Sequence, residues 1–308
     1  MILVRKLAPG DLSAELATVV VRHSLFASHP FMDVWKALSG HVVFWVAEEE
    51  GNIAAVLAGV EFGRKPLARF QSLPDGIPSV FACQGITHDR VHLASQILDG
   101  LSQHGYIKTF VTDFDNSFPP HSTFHRAEMV THVVDISNPS YEPSDKTLMS
   151  EIRKAEREHT SVVPFNWSKH GGRFIDLVAI SETRHGRLPK YPSPFFERLA
   201  VVAEHDDRII WMWCEHEGRA VASHIYFIQG DNAINWQIYY DKDFPFLKAN
   251  QLTTWRTIAD LRARGVTRLN LGASPDEAEG LVAYKSKWNA VEHSYSILEK
   301  KSWLGKLW

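Results

Sequence analysis

The stretches FWVAEEEGNIAAVLAGVEF, Phe44 to Phe62, and WMWCEHEGRAVASHIYFI, Trp211 to Ile228, decide the fold. Each is an alternating apolar run, an acidic turn holding a Gly, and a second alternating run, the pattern of two strands joined at a tight turn. Setting Gly51 over Gly218 places Glu48 on Glu215, Glu50 on Glu217 and Ala55 on Ala222. A second echo follows each hairpin. HLASQILDGLSQHGYIKTFVTDF and NQLTTWRTIADLRARGVTRLNLGA both read as an amphipathic helix ending at a Gly (Gly105, Gly265) and then a strand. In the second helix Leu252, Trp255, Ile258, Ala259 and Leu261 mark the expected buried stripe, and Arg256, Arg262 and Arg264 the wet face. Two such units predict tandem copies of one α/β fold with mixed (α+β) sheets, each a mostly antiparallel meander with flanking helices.

A length of 308 residues suits two domains of ordinary size. Between the echoes lies DISNPSYEPSDK, whose Pro, Ser, Asn and Asp read as a linker, so the expected domains are 1–140 and 141–308. A charged helix is expected from Lys146 to Glu158, with Leu148, Ile152 and Ala155 inward. Arg153, Lys154 and Arg157 on its outer turns make either a solvated face or an anion-binding one. The start of the chain has no secretory pattern and no run reaches a membrane span, so the expected location is cytoplasmic. The closing EKKSWLGKLW sets Trp303, Leu304, Leu307 and Trp308 beside lysines. It reads as a peripheral membrane foot or as a segment docked on the body, with docking the first expectation. A net charge of -3 argues against a general nucleic-acid coat and against DNA as partner. Cys83 and Cys214, far apart and outside any ligand motif, read as buried small hydrophobes. His121 and His125 lack the Glu of a zinc-protease helix, and no metal site is expected.

Four stretches then share a resemblance. IRKAERE, TRHGRLPKYPSPFFERL, YYDKDFPFLKANQLTTW and LGASPDEAEGLVAYKSKWNA, in that order, resemble the FemAB-like branch of the GNAT acyltransferase superfamily, whose members carry two GNAT-like domains. The resemblance implies an N-acyltransferase with its transfer site in the second domain. Tyr284 and Trp288 stand where the family has Phe. Asn289 stands where it has Gly, and Asn tolerates left-handed backbone better than other residues with a side chain.

Acyl-CoA-dependent relatives hold the pyrophosphate on a Gly-rich loop before a helix. Here that loop is DKDFPFLKANQ, which has no Gly and in which Pro245 removes a donor. The expected co-substrate is therefore aminoacyl-tRNA, with acyl-CoA as the alternative and no bound cofactor. Lys248, Asn250 and the N–H groups from Ala249 onward remain able to meet a phosphate. The resemblance points to Lys285 as the cation that stabilises the tetrahedral oxyanion or the departing ribose oxygen. If YKSKW is extended, Lys285 and Lys287 share a face and Tyr284 points away. On a helix the two lysines diverge. Of Tyr239 and Tyr240 one ring should enter the core, and Tyr240 is the expected hydroxyl at the leaving group, beside Asp241 as a base or a turn former. His185, Arg187, Lys190 and Tyr191 of RHGRLPKYP, with Arg153, are expected to hold acceptor phosphates or carboxylates. The expected function is transfer of an aminoacyl group onto an amine of a cell-envelope precursor, amino sugar or small peptide. The alternatives are an acyl-CoA N-acetyltransferase and a non-catalytic glycan- or protein-binding module. Oligomeric state is not legible.

Overall fold

The structure, a computed structural model, describes residues 2–11, 24–73, 77–83, 89–158, 160–184, 186–274 and 278–306. It divides into two compact units, residues 1–130 with 294–308, and residues 131–293. His185, Trp308 and the loop residues 275–277 lie outside the described residues.

The first unit contains β1 (Ile2–Leu7), α1 (His29–Asp33), β2 (Gly40–Glu49), β3 (Asn52–Phe62), β4 (Arg69–Gln71), β5 (Phe81–Cys83), α2 (Arg90–Gln103) and β6 (Lys108–Asp113). Its sheet runs β1-β2-β3-β4-β6 and takes as sixth strand part of the last strand in sequence, since Ser296–Lys301 pair antiparallel with β6. The second unit contains the end of β7 (His125–Asp135), then α3 (Lys146–Arg157), β8 (Ser161–Pro164), α4 (Trp167–Arg184), α5 (Ser193–His205), β9 (Ile209–His216), β10 (Arg219–Gln229), β11 (Asn232–Tyr240), α6 (Ala249–Ala263), β12 (Arg268–Ala273) and α7 (Glu279–Ser286). Its strands follow the order β8-β9-β10-β11-β12-β7, so the two units share one plan. In each, one parallel pair joined through a helix, β4 with β6 and β11 with β12, interrupts an antiparallel meander.

The echo in sequence goes deeper in three dimensions. Glu50 and Gly51 have φ of 52° and 83°, and Glu217 and Gly218 of 48° and 76°, so both hairpins turn with two left-handed residues. Such turns match the right-handed twist of the flanking strands. Each second strand also slips its register at the same place, the third residue after the Gly, Ala54 in one and Val221 in the other. Gly105 and Gly265 end α2 and α6 with φ of 85° and 80°, the expected helix-stop geometry.

Two expectations differ from what is observed. The break falls between Val130 and Thr131 rather than near Ser140, and residues 294–308 belong to the first unit. DISNPSYEPSDK is also no free tether: Ile136 and Tyr141 are buried, and the Tyr141 hydroxyl donates to the Trp288 carbonyl at 2.7 Å. Its turn-forming composition describes the local backbone but not the two apolar anchors. The C-terminal segment docks as far as Gly305. Ser302 N–H donates to Ile107 O at 2.9 Å, and a Cβ on Gly305 would lie 2.1 Å from that same carbonyl.

α3 is capped by Asp145, whose carboxylate accepts from Leu148 N–H at 2.7 Å, and it buries Leu148, Met149, Ile152 and Ala155. The apolar core of the second unit runs from these residues through Ile210, Tyr226, Leu252, Ile258 and Leu269 to Trp288. α6 buries Leu252, Ile258 and Leu261 as expected, but Ala259 is exposed. Thr253, Thr254 and Thr257 are buried in addition. That second, hydroxyl-bearing face leads to the site.

Among the described residues no helix is long and apolar enough to cross a membrane, and none of their His, Cys, Asp and Glu side chains group to hold a metal ion.

Candidate active site

The parallel ladder between β11 and β12 pairs Asn232 with Arg268, Ala233 with Leu269 and Ile234 with Asn270, then stops. β11 runs on to Tyr240 and β12 to Ala273, so the seam opens beyond Ile234. At its start sit Asn235, whose buried Oδ1 has no hydrogen-bond partner among the described residues, and Trp236, the extra residue where β11 slips against β10. The corresponding seam of the first unit is filled. There Ser72 N–H donates to Phe110 O at 2.9 Å, Thr112 N–H donates to Ser72 Oγ at 3.0 Å, and Ser72 and Ser79 share a 2.6 Å hydroxyl contact. Among the described residues the seam of the second unit lacks such bridging, and the candidate site is sought there.

Lys285 lies at the end of that seam. It is only 2% exposed, and its Nζ donates to Gly272 O at 2.6 Å, Ala273 O at 2.9 Å and Ser274 Oγ at 2.9 Å. The carbonyls face it because β12 bulges: its register against β7 shifts between Asn270 and Ala273, and Gly272 takes φ 82°. Asn270 Oδ1 fixes the bulge by accepting from Gly272 N–H at 2.7 Å. Among the described residues no carboxylate bonds it, and burial lowers the Lys285 ammonium to about 8. Its hydrogen-bond partners among the described residues are three neutral oxygens, two carbonyls and a hydroxyl.

YKSKW is helical, so Lys285 and Lys287 diverge. Lys285 is buried within α7, and Lys287 is its half-exposed C-cap. The two lysines do not form a phosphate-binding pair. Tyr284, on another face of α7, packs edge-on to Trp288 at 6.3 Å. Burial raises its hydroxyl pKa, and Thr254, Glu151 and Tyr240 lie close enough to influence it. Asn289 closes the helix at φ 57°, and its Oδ1 accepts from Ser144 N–H at 3.2 Å. Replacement of the family's Gly therefore preserves the turn and adds an anchor. Asn289→Gly should change the melting temperature little. Asn289→Val should cost about 2 kcal/mol by chemical denaturation, from the left-handed backbone and the lost bond together.

Tyr239 enters the core between Phe174 and Phe196, at 5.6 and 5.9 Å, while Tyr240 is half-buried with the Arg184 guanidinium 3.9 Å from its ring centre. No hydrogen bond joins Tyr240 to Lys285 in this arrangement. Asp241 is a turn former, its Oδ1 accepting from Asp243 N–H at 2.9 Å.

Of the remaining expected residues, Lys248 meets the same Glu151 that lies near Tyr284, and Asn250, Arg187 and Tyr191 are held by partners of their own. Lys248 adopts φ 47° just before α6, a position suited to Gly, and its ammonium meets Glu151 at 2.9 Å. Asn250, in the first turn of α6, accepts on Oδ1 from His224 Nε2 at 3.1 Å. Arg187 is tied to the buried Glu182 by paired contacts from Nε and Nη2. Tyr191 is 2% exposed and stacks on Phe195 at 4.4 Å, a core residue rather than a pocket one. Arg153 is exposed on α3.

Sequence reasoning passed over His224. It is fully enclosed on β10, with Nδ1 2.9 Å from Tyr226 Oη, and burial lowers its pKa to about 4. The ring is therefore neutral. Since Asn250 Oδ1 can only accept, Nε2 carries the proton and the Tyr226 hydroxyl donates to Nδ1. Thr254 and Thr257 also meet the Tyr226 hydroxyl. This chain of buried polar groups pins the first turn of α6 to the sheet. Its signal in the sequence was a His inside the otherwise apolar strand run ASHIYFI.

Residues 144–286, within the second unit, match the acetyltransferase (GNAT) domain family. The likeness to solved structures extends over the whole chain. FemX shares 10% identity and a TM-score of 0.66, with 95% of this chain and 96% of that chain covered. The C-terminal domain of a putative lysylphosphatidylglycerol synthetase from Agrobacterium fabrum shares 15% and 0.63, covering 95% and 93%. A tandem GNAT protein from the clavulanic acid biosynthesis pathway shares 10% and 0.57, covering 98% of each chain. The chain thus has the tandem GNAT fold, consistent with the FemAB-like branch. No curated protein matches it in sequence.

Proposed function

We propose that the protein is an N-acyltransferase that moves an aminoacyl group from aminoacyl-tRNA to an amine of a cell-envelope precursor, amino sugar or small peptide. The observation that carries this reading is Lys285, a buried ammonium of lowered pKa at the open end of the β11–β12 seam, held by three neutral oxygens. In the step envisaged, the neutral amine attacks the ester carbonyl, and the carbonyl oxygen gathers negative charge. Lys285 exchanges its Ser274 bond for one to that oxygen. The tetrahedral adduct collapses by breaking the bond to the ribose oxygen. The proton lost by the amine reaches that oxygen through the hydroxyl of Tyr240.

The donor loop favours aminoacyl-tRNA over acyl-CoA. Lys248, the cation nearest the start of α6, is already neutralised by Glu151, and the Asn250 side chain serves His224. Besides backbone N–H groups, the cations left at this loop are exposed Lys242 and Arg219, the latter 4.8 Å from the Phe244 ring centre, so the preference rests on a loop without Gly that carries Pro245. Thermal-shift measurement with CoA and with total aminoacyl-tRNA tests the choice. Stabilisation by aminoacyl-tRNA alone is expected. A rise with CoA alone would transfer the assignment to an acyl-CoA enzyme, and a rise with neither would favour a binding module.

A further inference from the structure

The first unit carries a separate surface on the stretch GRKPLAR, Gly63 to Arg69, which divides two concavities that share Gly63. On one side is a polar cleft of about 680 Å3 with Lys6, Lys36, Arg64 and Lys65 on its walls. Its two carboxylates are already engaged, Glu61 with Lys6 at 2.7 Å and Asp33 with Lys36 at 2.8 Å. Arg64 and Lys65 are exposed and, among the described residues, have no carboxylate partner. On the other side is an apolar groove of about 280 Å3 formed by Leu38, Phe62, Leu67 and Ile107. Arg69 stands at its rim, 5.2 Å from the Phe62 ring centre.

The C-terminal segment extends this surface. Ile107 N–H donates to Ala68 O at 2.9 Å, and its carbonyl accepts from Ser302 N–H at 2.9 Å, which ties the residue before Trp303 to a lining residue of the groove. Leu67 is 49% exposed and Trp303 73%. A small soluble anion would account for the cations but not for a large aliphatic and an indole held in water next to them. Uncompensated Arg and Lys, an apolar groove and an interfacial Trp are together what the surface of an anionic bilayer rewards.

The geometry points to a docking surface for anionic lipid membranes, with phosphate headgroups against Arg64, Lys65 and Arg69, and acyl chains against Leu67, the groove and Trp303. It is independent of the acyl-transfer assignment, since none of these residues belongs to the second unit.

Vesicle flotation of the full chain is the test, using phosphatidylcholine vesicles with and without phosphatidylglycerol. The protein should float with the phosphatidylglycerol-containing vesicles only, and be released as salt screens the charges. Replacing Arg64, Lys65 and Arg69 together by Ser should lower partitioning roughly a hundredfold, about fivefold for each charge. Leu67→Ser with Trp303→Ser should lower it about tenfold. All five side chains are exposed, so melting temperatures should stay near that of the parent and report any misfolding. Unchanged flotation of either variant would overturn the proposal, as would equal binding to pure phosphatidylcholine. So would a thermal shift with inorganic phosphate, abolished in the triple variant, without any flotation, because that marks a soluble anion as the ligand.

Discussion

Lys285→Met should lower turnover of the transfer reaction about 10²–10³-fold, the usual effect of removing one preorganised oxyanion donor. Met keeps the length and apolar stem of Lys while removing the charge. It also leaves Gly272 O and Ala273 O without their donor, which should cost about 1–3 kcal/mol of stability. The activity loss must therefore be measured well below the melting transition of the variant. The pH profile separates a catalytic role from that structural one. Burial lowers the Lys285 pKa to about 8, so the ammonium is intact below that pH and is lost as pH rises through it. Turnover should consequently fall on the alkaline side of about 8, even though the acceptor amine becomes a better nucleophile there. Lys285→Arg, whose charge does not titrate in this range, should keep part of the activity and lose the alkaline fall. A fall that persists in Lys285→Arg would assign the titration to another group.

Trp288→Ala should destabilise the second unit by about 3–5 kcal/mol, the range for deleting a fully buried large aromatic side chain. Trp288 is 0% exposed and sits in the core with Leu148, Ile152 and Leu252. It also fixes the end of α7: its carbonyl accepts from the Tyr141 hydroxyl at 2.7 Å, and its ring packs on Tyr284. Lys285 is carried by the preceding turn, so the cavity should loosen the ammonium as well as the fold. Trp288→Phe, the ring the family uses, should restore most of the stability. Urea unfolding of the three proteins gives the comparison, and a loss below about 1 kcal/mol for Trp288→Ala would show that the ring is replaceable there.

The tandem plan was legible because it is written in local chemistry. A two-residue turn that needs left-handed backbone leaves Glu-Gly in both hairpins, and a helix that must stop leaves Gly105 and Gly265. The sixth strand of each sheet was not legible. Nothing in the alternation of either β7 or the final strand tells which of two similar parallel pairs it will join, since that is decided by partners far away in sequence. Lys285, Tyr284 and Asn289 were singled out through a short pattern of residues close in sequence. Arg187 and Tyr191 were placed by the same reasoning, but their side chains were claimed by Glu182 and by Phe195, partners that no local pattern announces. The threonines of α6 were missed because Thr reads as solvent-facing, whereas here Thr254 and Thr257 meet the hydroxyl of Tyr226.

Transfer by the purified protein from labelled total aminoacyl-tRNA to a panel of amine acceptors tests the central claim most directly, with Lys285→Met and acetyl-CoA run alongside. The account predicts label moving from tRNA into an amide in a Lys285-dependent manner, and no transfer from acetyl-CoA. Label that stays on tRNA while acetyl groups are transferred, or transfer at full rate by Lys285→Met, would contradict it.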